Sequence, residues 1–299
     1  MSRNRKIISV FCILLLGCVF YFYYNQNRSH KFQVTFFNIG QGDAALIRFA
    51  DGQKMLVDCG PDKKILAKLG QALPFYDRSI DFVLATHPDL DHYGGCVDVL
   101  KNYKVKEIIT NGRKKENDPY WRAWDEAIKN EAGAIVKIIN SPETRVIASS
   151  TLQFLSPDSS LPLVVAAADS NNYSIVFKLT NAPARNATHS VAGGSTTFLF
   201  TGDMEEPLER ALMGKYCSAS STACPTLQAN VLKVGHHGSD SSSGEDFLKL
   251  VQPQIATISV GKNNYGHPSL RVLKKLERAG AEILRTDQKD DIILPVDNN

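Results

Sequence analysis

The chain lacks an excess of charge. Its 34 Lys and Arg stand against 31 Asp and Glu, and four of the basic residues (Arg3, Arg5, Lys6 and Arg28) precede residue 31, where no acid occurs. That leaves 30 basic against 31 acidic residues in the rest. Binding of nucleic acid through bulk positive charge is therefore excluded; Lys101, Lys104 and Lys106, with Arg113, Lys114 and Lys115, offer only local patches. No short-period repeat occurs, and at 43% hydrophobic and 22% charged residues the composition is neither that of a disordered chain nor of a fibre. A second long apolar run is missing too. Ile7 to Tyr24, without a charged side chain, is the one apolar run of near-bilayer length, so the chain does not itself form a conduit through a membrane.

Cysteines are few. Cys12 and Cys18 fall within the apolar run, and Cys217 and Cys224 bracket a small, polar stretch that a disulfide could close in an oxidising compartment. Cys59 and Cys96 stand singly and are expected as small buried residues. Arg3, Arg5 and Lys6 ahead of the apolar run mark it as membrane-directing, with the cations kept inside and the aromatics of Val19 to Tyr24 near the outer interface. The expectation is an uncleaved signal anchor over residues 1–30 and an exported domain over 31–299. Leu15-Leu16-Gly17-Cys18 also resembles a lipobox, so a secreted form or a lipoprotein is the other outcome if the N-terminus is processed.

From Phe32 onward, short β-branched and aromatic runs (Phe32 to Phe37, Ala44 to Phe49, Lys54 to Val57) are separated by glycine-rich turns. Helix and strand patterns then alternate: a helix over 63–72, a strand over 81–85, helices over 95–102 and 119–131, and strands over 107–110 and 134–139. The second half repeats that course, with strands predicted over 151–155, 173–179, 196–201, 230–234 and 254–259, helices over 205–213, 244–251 and 269–279, and terminal strands. Two β-rich halves, each flanked by helices, predict an α/β fold in four αββα layers with two sheets face to face. Residues 181–195 and 215–225 read as loop excursions.

The chemistry is concentrated at strand ends. His87, Asp89, Asp91 and His92 follow an apolar strand directly, and imidazole with carboxylate suits zinc, manganese or iron better than calcium. Asp89, Asp91 and Gly94 match an EF-hand loop, but Tyr93 and Leu100 stand where that loop needs oxygen ligands. N-capping of the following helix would use one acid and explains neither the two histidines nor Gly94-Gly95. Phe198 to Asp203 ends a second apolar strand in a carboxylate placed to bridge two ions. Val231 to Ser239 ends a third in His236-His237. His267 in Tyr265-Gly266-His267-Pro268 is a candidate substrate contact, and Lys233 and Lys262 are placed to meet an anion.

With these segments, Asn38-Ile39-Gly40-Gln41-Gly42-Asp43-Ala44, Val57-Asp58-Cys59-Gly60, Asn171-Asn172-Tyr173-Ser174 and Ser259 to Ser269 resemble the metallo-β-lactamase superfamily, specifically the soluble hydrolase domain of ComEC-type DNA-uptake (competence) proteins. The resemblance covers residues 32 to about 290. It implies His87 and Asp89 as ligands of a first metal, Asp91 and His92 of a second, and Asp203 as the bridge, with His236 or His237 as a further ligand. Asp89 replaces the second histidine of the commoner His-x-His-x-Asp-His loop, which shifts preference from zinc towards manganese or magnesium. Ser170 and Asn171 stand where many members carry another ligand histidine, so one or two divalent ions are expected.

The implied chemistry is metal-assisted hydrolysis. Asp91 orients the attacking water, one of His236 and His237 coordinates, and the other contacts substrate or protonates the leaving group. A phosphodiesterase or nuclease acting on an anionic substrate such as DNA is the first expectation. A hydrolase of a lactone, a β-lactam or an envelope phosphocholine ester is the second, and a non-catalytic metal-binding module the third. The sequence identifies no protein partner; the membrane is expected to be reached through the N-terminal segment.

Overall fold

The computed structural model describes residues 11–17, 31–116, 118–161, 170–182, 195–218 and 223–295 of the chain. Residues 11–17 are helical, and the rest of the expected anchor lies outside the described residues. Among the described residues no helix is long and apolar enough to cross a membrane.

Strands β1 (Gln33–Phe36), β2 (Ala44–Arg48) and β3 (Lys54–Cys59) form an antiparallel meander. Helix α1 (Lys64–Ala72) then carries the chain across to β4 (Ser79–Leu84), which is parallel to β3; β5 (Lys104–Thr110) and β6 (Ile135–Ile138) continue in parallel. Between them lie α2 (Leu90–Tyr93), α3 (Cys96–Asn102) and α4 (Pro119–Asn130). The second sheet starts with the antiparallel strands β7 (Glu143–Ile147), β8 (Ser150–Ser156), β9 (Val176–Asn181) and β10 (Thr196–Phe200). It ends with the parallel strands β11 (Val231–Lys233), β12 (Ile255–Ile258) and β13 (Glu282–Arg285), beside α5 (Glu206–Tyr216), α6 (Glu245–Val251) and α7 (Leu270–Arg278). After α8 (Thr286–Lys289), β14 (Ile292–Pro295) returns to pair with β1, so the first sheet runs β14-β1-β2-β3-β4-β5-β6 and the second β13-β12-β11-β10-β9-β8-β7.

Side-chain alternation builds the layers. In β2, Ala44 and Leu46 face α1, α3 and α4, while Ala45 and Ile47 face the other sheet; in β10, Leu199 faces α5 to α7 and Phe198 and Phe200 point between the sheets. Strands buried on both faces read as unbroken apolar runs, which is why these are evident in the sequence. Phe36, Phe177 and Phe200 stack across the middle, with ring centroids 5.7 and 4.7 Å apart. The fold is the αββα sandwich expected, with one strand more. β7 alternates exposed and half-buried residues along an edge, with Arg145 bonded to Glu107 at 2.7 Å, and such a charged strand carries no apolar signal.

Two cysteine expectations resolve differently. Cys217 and Cys224 are bonded, closing the excursion after α5. Cys59 and Cys96, expected as separate buried residues, are buried but joined to each other. The glycine pair explains it. A Cβ on Gly95 would lie 2.3 Å from the Cys59 carbonyl oxygen and one on Gly94 2.3 Å from that of Pro61, so only glycine lets the start of α3 close on the end of β3.

Candidate metal centre

The loops that follow β3, β4, β10, β11 and β12 meet at one end of the sandwich. Asp58, buried near the end of β3 with a left-handed backbone, accepts from Thr86 N at 2.7 Å and Thr86 Oγ1 at 2.8 Å, and its Oδ2 lies 2.9 Å from His92 Nδ1. That carboxylate holds a proton on His92 Nδ1 and so turns Nε2 inward, the nitrogen a metal ion would take. His237 is set in the same way. Its Nδ1 donates to the Ser259 carbonyl at 2.9 Å, and its Nε2 lies 3.2 Å from Asp91 Oδ2 and 3.4 Å from Asp203 Oδ2. Two successive left-handed residues, His236 (φ 47°) and His237 (φ 52°), bend the chain so that both rings reach the same space.

His92 Nε2 lies 3.3 Å from Asp203 Oδ2, and the His87 and His92 ring centroids are 4.1 Å apart. His87 Nε2, His92 Nε2 and Asp203 Oδ1 are buried and have no hydrogen-bond partner. An orphaned buried polar atom costs about 1–3 kcal/mol, so three of them on neighbouring residues form a donor set suited to a cation. Donor atoms of His87, His92 and Asp203 approach one another within 4.8 Å, as do those of Asp91, His92 and His237.

Charge leads to the same reading. Asp43, Asp58, Asp91 and Asp203 share the centre, among the described residues, with a single lysine, Lys233. Burial opposes a charged ring, yet Asp203 and Asp43 push His237 up to about 10, and against the same burial Asp203 and Asp58 hold His92 well above the ordinary histidine range. Burial would likewise raise Asp203, but the adjacent His237 and His92 hold it well below the usual carboxylate range. A centre that draws protons onto its imidazoles has a surplus of negative charge, which a divalent ion with mixed nitrogen and oxygen ligands neutralises.

The expected residues divide accordingly. His87, Asp91, His92, Asp203 and His237 come together. Asp89 belongs to neither of those groups: its Oδ1 accepts from Ser170 Oγ at 2.6 Å and pairs with Lys115, leaving Oδ2 3.7 Å from His87 Nε2. It occupies the N-cap of α2 without a side-chain capping bond, so capping is not its purpose. His236 sits at the mouth, a quarter exposed, with Nδ1 2.9 Å from Glu205 Oε1 and Nε2 3.9 Å from Asp203 Oδ2. The His267 ring lies 5.3 Å from that of His236. Lys233, expected to meet substrate, requires correction. All of β11 is buried, and Lys233 Nζ donates to the Gly202 carbonyl at 2.8 Å and pairs with Asp43, so it cannot reach the mouth.

Asp43 and Asp58 received no role from the sequence. Asp43 Oδ1 lies 3.4 Å from His237 Nδ1, and its backbone N–H donates to the Asp91 carbonyl at 3.1 Å. The available signal was a lone carboxylate beside each of two strands, which acquires meaning only when β2 and β3 are placed against the loops of the other sheet.

The sequence profile of the metallo-beta-lactamase superfamily matches residues 38–157 and 183–262. The chain belongs to that superfamily. It is 31% identical over 284 residues to ComE operon protein 3 of Bacillus subtilis (strain 168), covering 88% of this chain and 33% of that protein. It is 28% identical over 292 residues to Recombination protein 2 of Haemophilus influenzae, covering 95% and 32%. The chain thus spans about a third of the length of these relatives. Among solved structures, a long form RNase Z from yeast superposes with a TM-score of 0.51 at 11% identity, over 90% of this chain and 42% of that one, which shows the fold. Superfamily membership and the donor set support a metal-dependent hydrolase of the ComEC type.

Proposed function

We propose that the chain hydrolyses phosphodiesters, with DNA as the substrate class, through one or two divalent ions, zinc or manganese. The observation that carries this is the buried cluster of orphaned donors with surplus carboxylate. Asp91, His92, Asp203 and His237 would hold one ion; His87 with Asp203 would hold a second, which Asp89 joins only on leaving Lys115. When bound, the ion supplies Lewis acidity, acidifying water and polarising the phosphoryl oxygen.

The protein's own groups supply the rest. Asp58 and the Ser259 carbonyl fix the ring tautomers of His92 and His237. Asp91, about a third exposed, orients the attacking water. Glu205 holds His236 with Nε2 towards the mouth, where it protonates the leaving oxygen. The similarity to a recombination protein supports nucleic acid as the substrate class. Two disulfides, with the apolar run at Ile7 to Tyr24, support an exported, membrane-tethered domain.

The test is metal-reconstituted activity on bis-p-nitrophenyl phosphate, single-stranded DNA and nitrocefin. Cleavage of the first two, reduced about 100-fold or more in Asp91→Ala, is expected. Undiminished cleavage by that variant contradicts the mechanism, and activity confined to nitrocefin overturns the phosphodiester assignment.

A further inference from the structure

The loop after β12 has a solvent-exposed ring that the hydrolytic chemistry does not use. Tyr265 is 76% exposed, although a tyrosine ring left in water forgoes its burial energy. It does not stand alone. Its ring centroid is 5.7 Å from that of His267, which is 5.3 Å from that of His236, whose Nε2 is 3.9 Å from Asp203. A file of rings therefore runs from the buried carboxylate out to solvent. His267 Nδ1 within it is buried and has no hydrogen-bond partner.

The loop is held rigid. Asn263 spends its whole side chain on it: Nδ2 donates to the carbonyls of Gly261 and His267 at 2.8 Å each, and Oδ1 accepts from Tyr265 N and His267 N at 3.0 Å each. Its ends are clamped to the site. Gly261 packs so closely that a Cβ there would lie 2.4 Å from the Gly40 carbonyl carbon, and Ser269 N donates to the Gly238 carbonyl at 2.9 Å. Beside Tyr265, nothing lies within 4 Å of a Cβ built on Gly266. Lys262 on the same loop is exposed and makes no ion pair among the described residues.

An exposed aromatic ring on a rigid loop, a cation three residues before it on that loop and a short path to a hydrolytic centre match how proteins hold single-stranded nucleic acid: bases stack on rings and cations follow the phosphates. We propose that Tyr265 is the stacking platform for the nucleobase flanking the scissile phosphodiester, with Lys262 at the neighbouring phosphate. This rests on the phosphodiesterase reading and sharpens it, because a lactone, a β-lactam or a phosphocholine ester offers no base to stack. Stacking is indifferent to base identity, so the subsite selects nucleic acid without selecting sequence.

The experiment compares kcat/KM of the metal-reconstituted protein on a short oligothymidylate and on an abasic phosphodiester strand of equal length. Wild type, Tyr265→Ala, Tyr265→Phe and Tyr265→Trp are assayed on both. Tyr265→Ala is expected to lose roughly 5- to 150-fold on the oligothymidylate, the range for one base on one ring, and nothing further on the abasic strand; Phe and Trp retain activity. Equal activity of wild type and Tyr265→Ala on the oligothymidylate overturns the platform. So does a Tyr265→Phe loss as large as that of Ala, which would assign the hydroxyl instead. If wild type cleaves neither strand, the phosphodiester reading itself falls; if it cleaves both strands equally well, the platform alone falls.

Discussion

Asp58 shows how little of a metal centre lies in its ligands. It is buried, yet it keeps a proton on His92 Nδ1 and fastens Thr86 at the entrance to the ligand loop. Asp58→Asn keeps the shape and removes the charge, so bound metal measured after dialysis against a chelator series should fall in affinity by about 10- to 100-fold. Lys233 poses the opposite case, a buried cation among carboxylates. Lys233→Met removes the buried cation paired with Asp43 and should cost about 3–5 kcal/mol in urea unfolding of the metal-free protein. The His87 to Gly95 loop, Asp203 and His237 were readable because ligand types stand in order after apolar strands. Asp43, Asp58 and the inward course of Lys233 were not, since a carboxylate or a lysine beside a strand carries no meaning until packing chooses its neighbours.

At the scale of elements, the ligand loop is tied down from behind. The disulfide between the end of β3 and the start of α3 closes a loop with a sequence separation of 37, against 7 for Cys217–Cys224. Chain-entropy arguments give about 4 kcal/mol for the longer loop and about 2.5 kcal/mol for the shorter. Replacing Cys59 and Cys96 together by serine should therefore lower the urea midpoint more than replacing Cys217 and Cys224, and a reversed order would show that the first bond adds little. No spacing rule revealed the Cys59–Cys96 pair, because two glycines rather than the cysteines bring the backbones together.

Helix α5 contributes a pH-dependent tie. Glu209, buried on that helix, accepts from the backbone N–H groups of Ser243 and Gly244 at the start of α6, and burial pushes its carboxyl up to about 7 from 4.5, with Glu206 adding to the rise and Lys275 opposing it. The folded protein then binds a proton that the unfolded chain releases near 4.5. This contribution to stability is complete below 4.5 and is lost as pH rises through about 7, amounting to about 3 kcal/mol. Urea unfolding across that interval should lose this slope in Glu209→Gln; an unchanged slope contradicts the assignment.

Across the whole molecule, the two sheets do what neither half could do alone. The first brings His87, Asp91 and His92, the second Asp203 and His237, and the aromatic layer of Phe36, Phe177 and Phe200 keeps the two edges in register. Unbroken apolar strands set between helices made that layering legible, and the family resemblance extended it over nearly the whole domain. The charged edge strand β7 and the return of β14 to the first sheet stayed hidden, because edges are chosen by topology and carry little apolar pattern. The central claim is that this joint edge holds a divalent ion that drives phosphodiester hydrolysis. It is tested most directly by single-stranded DNA cleavage as manganese is added back to chelator-treated protein, wild type beside Asp203→Ala. The account predicts no cleavage without metal, restoration on addition, and a loss of about 100-fold or more in the variant; cleavage that persists in chelator, or equally in Asp203→Ala, would contradict it.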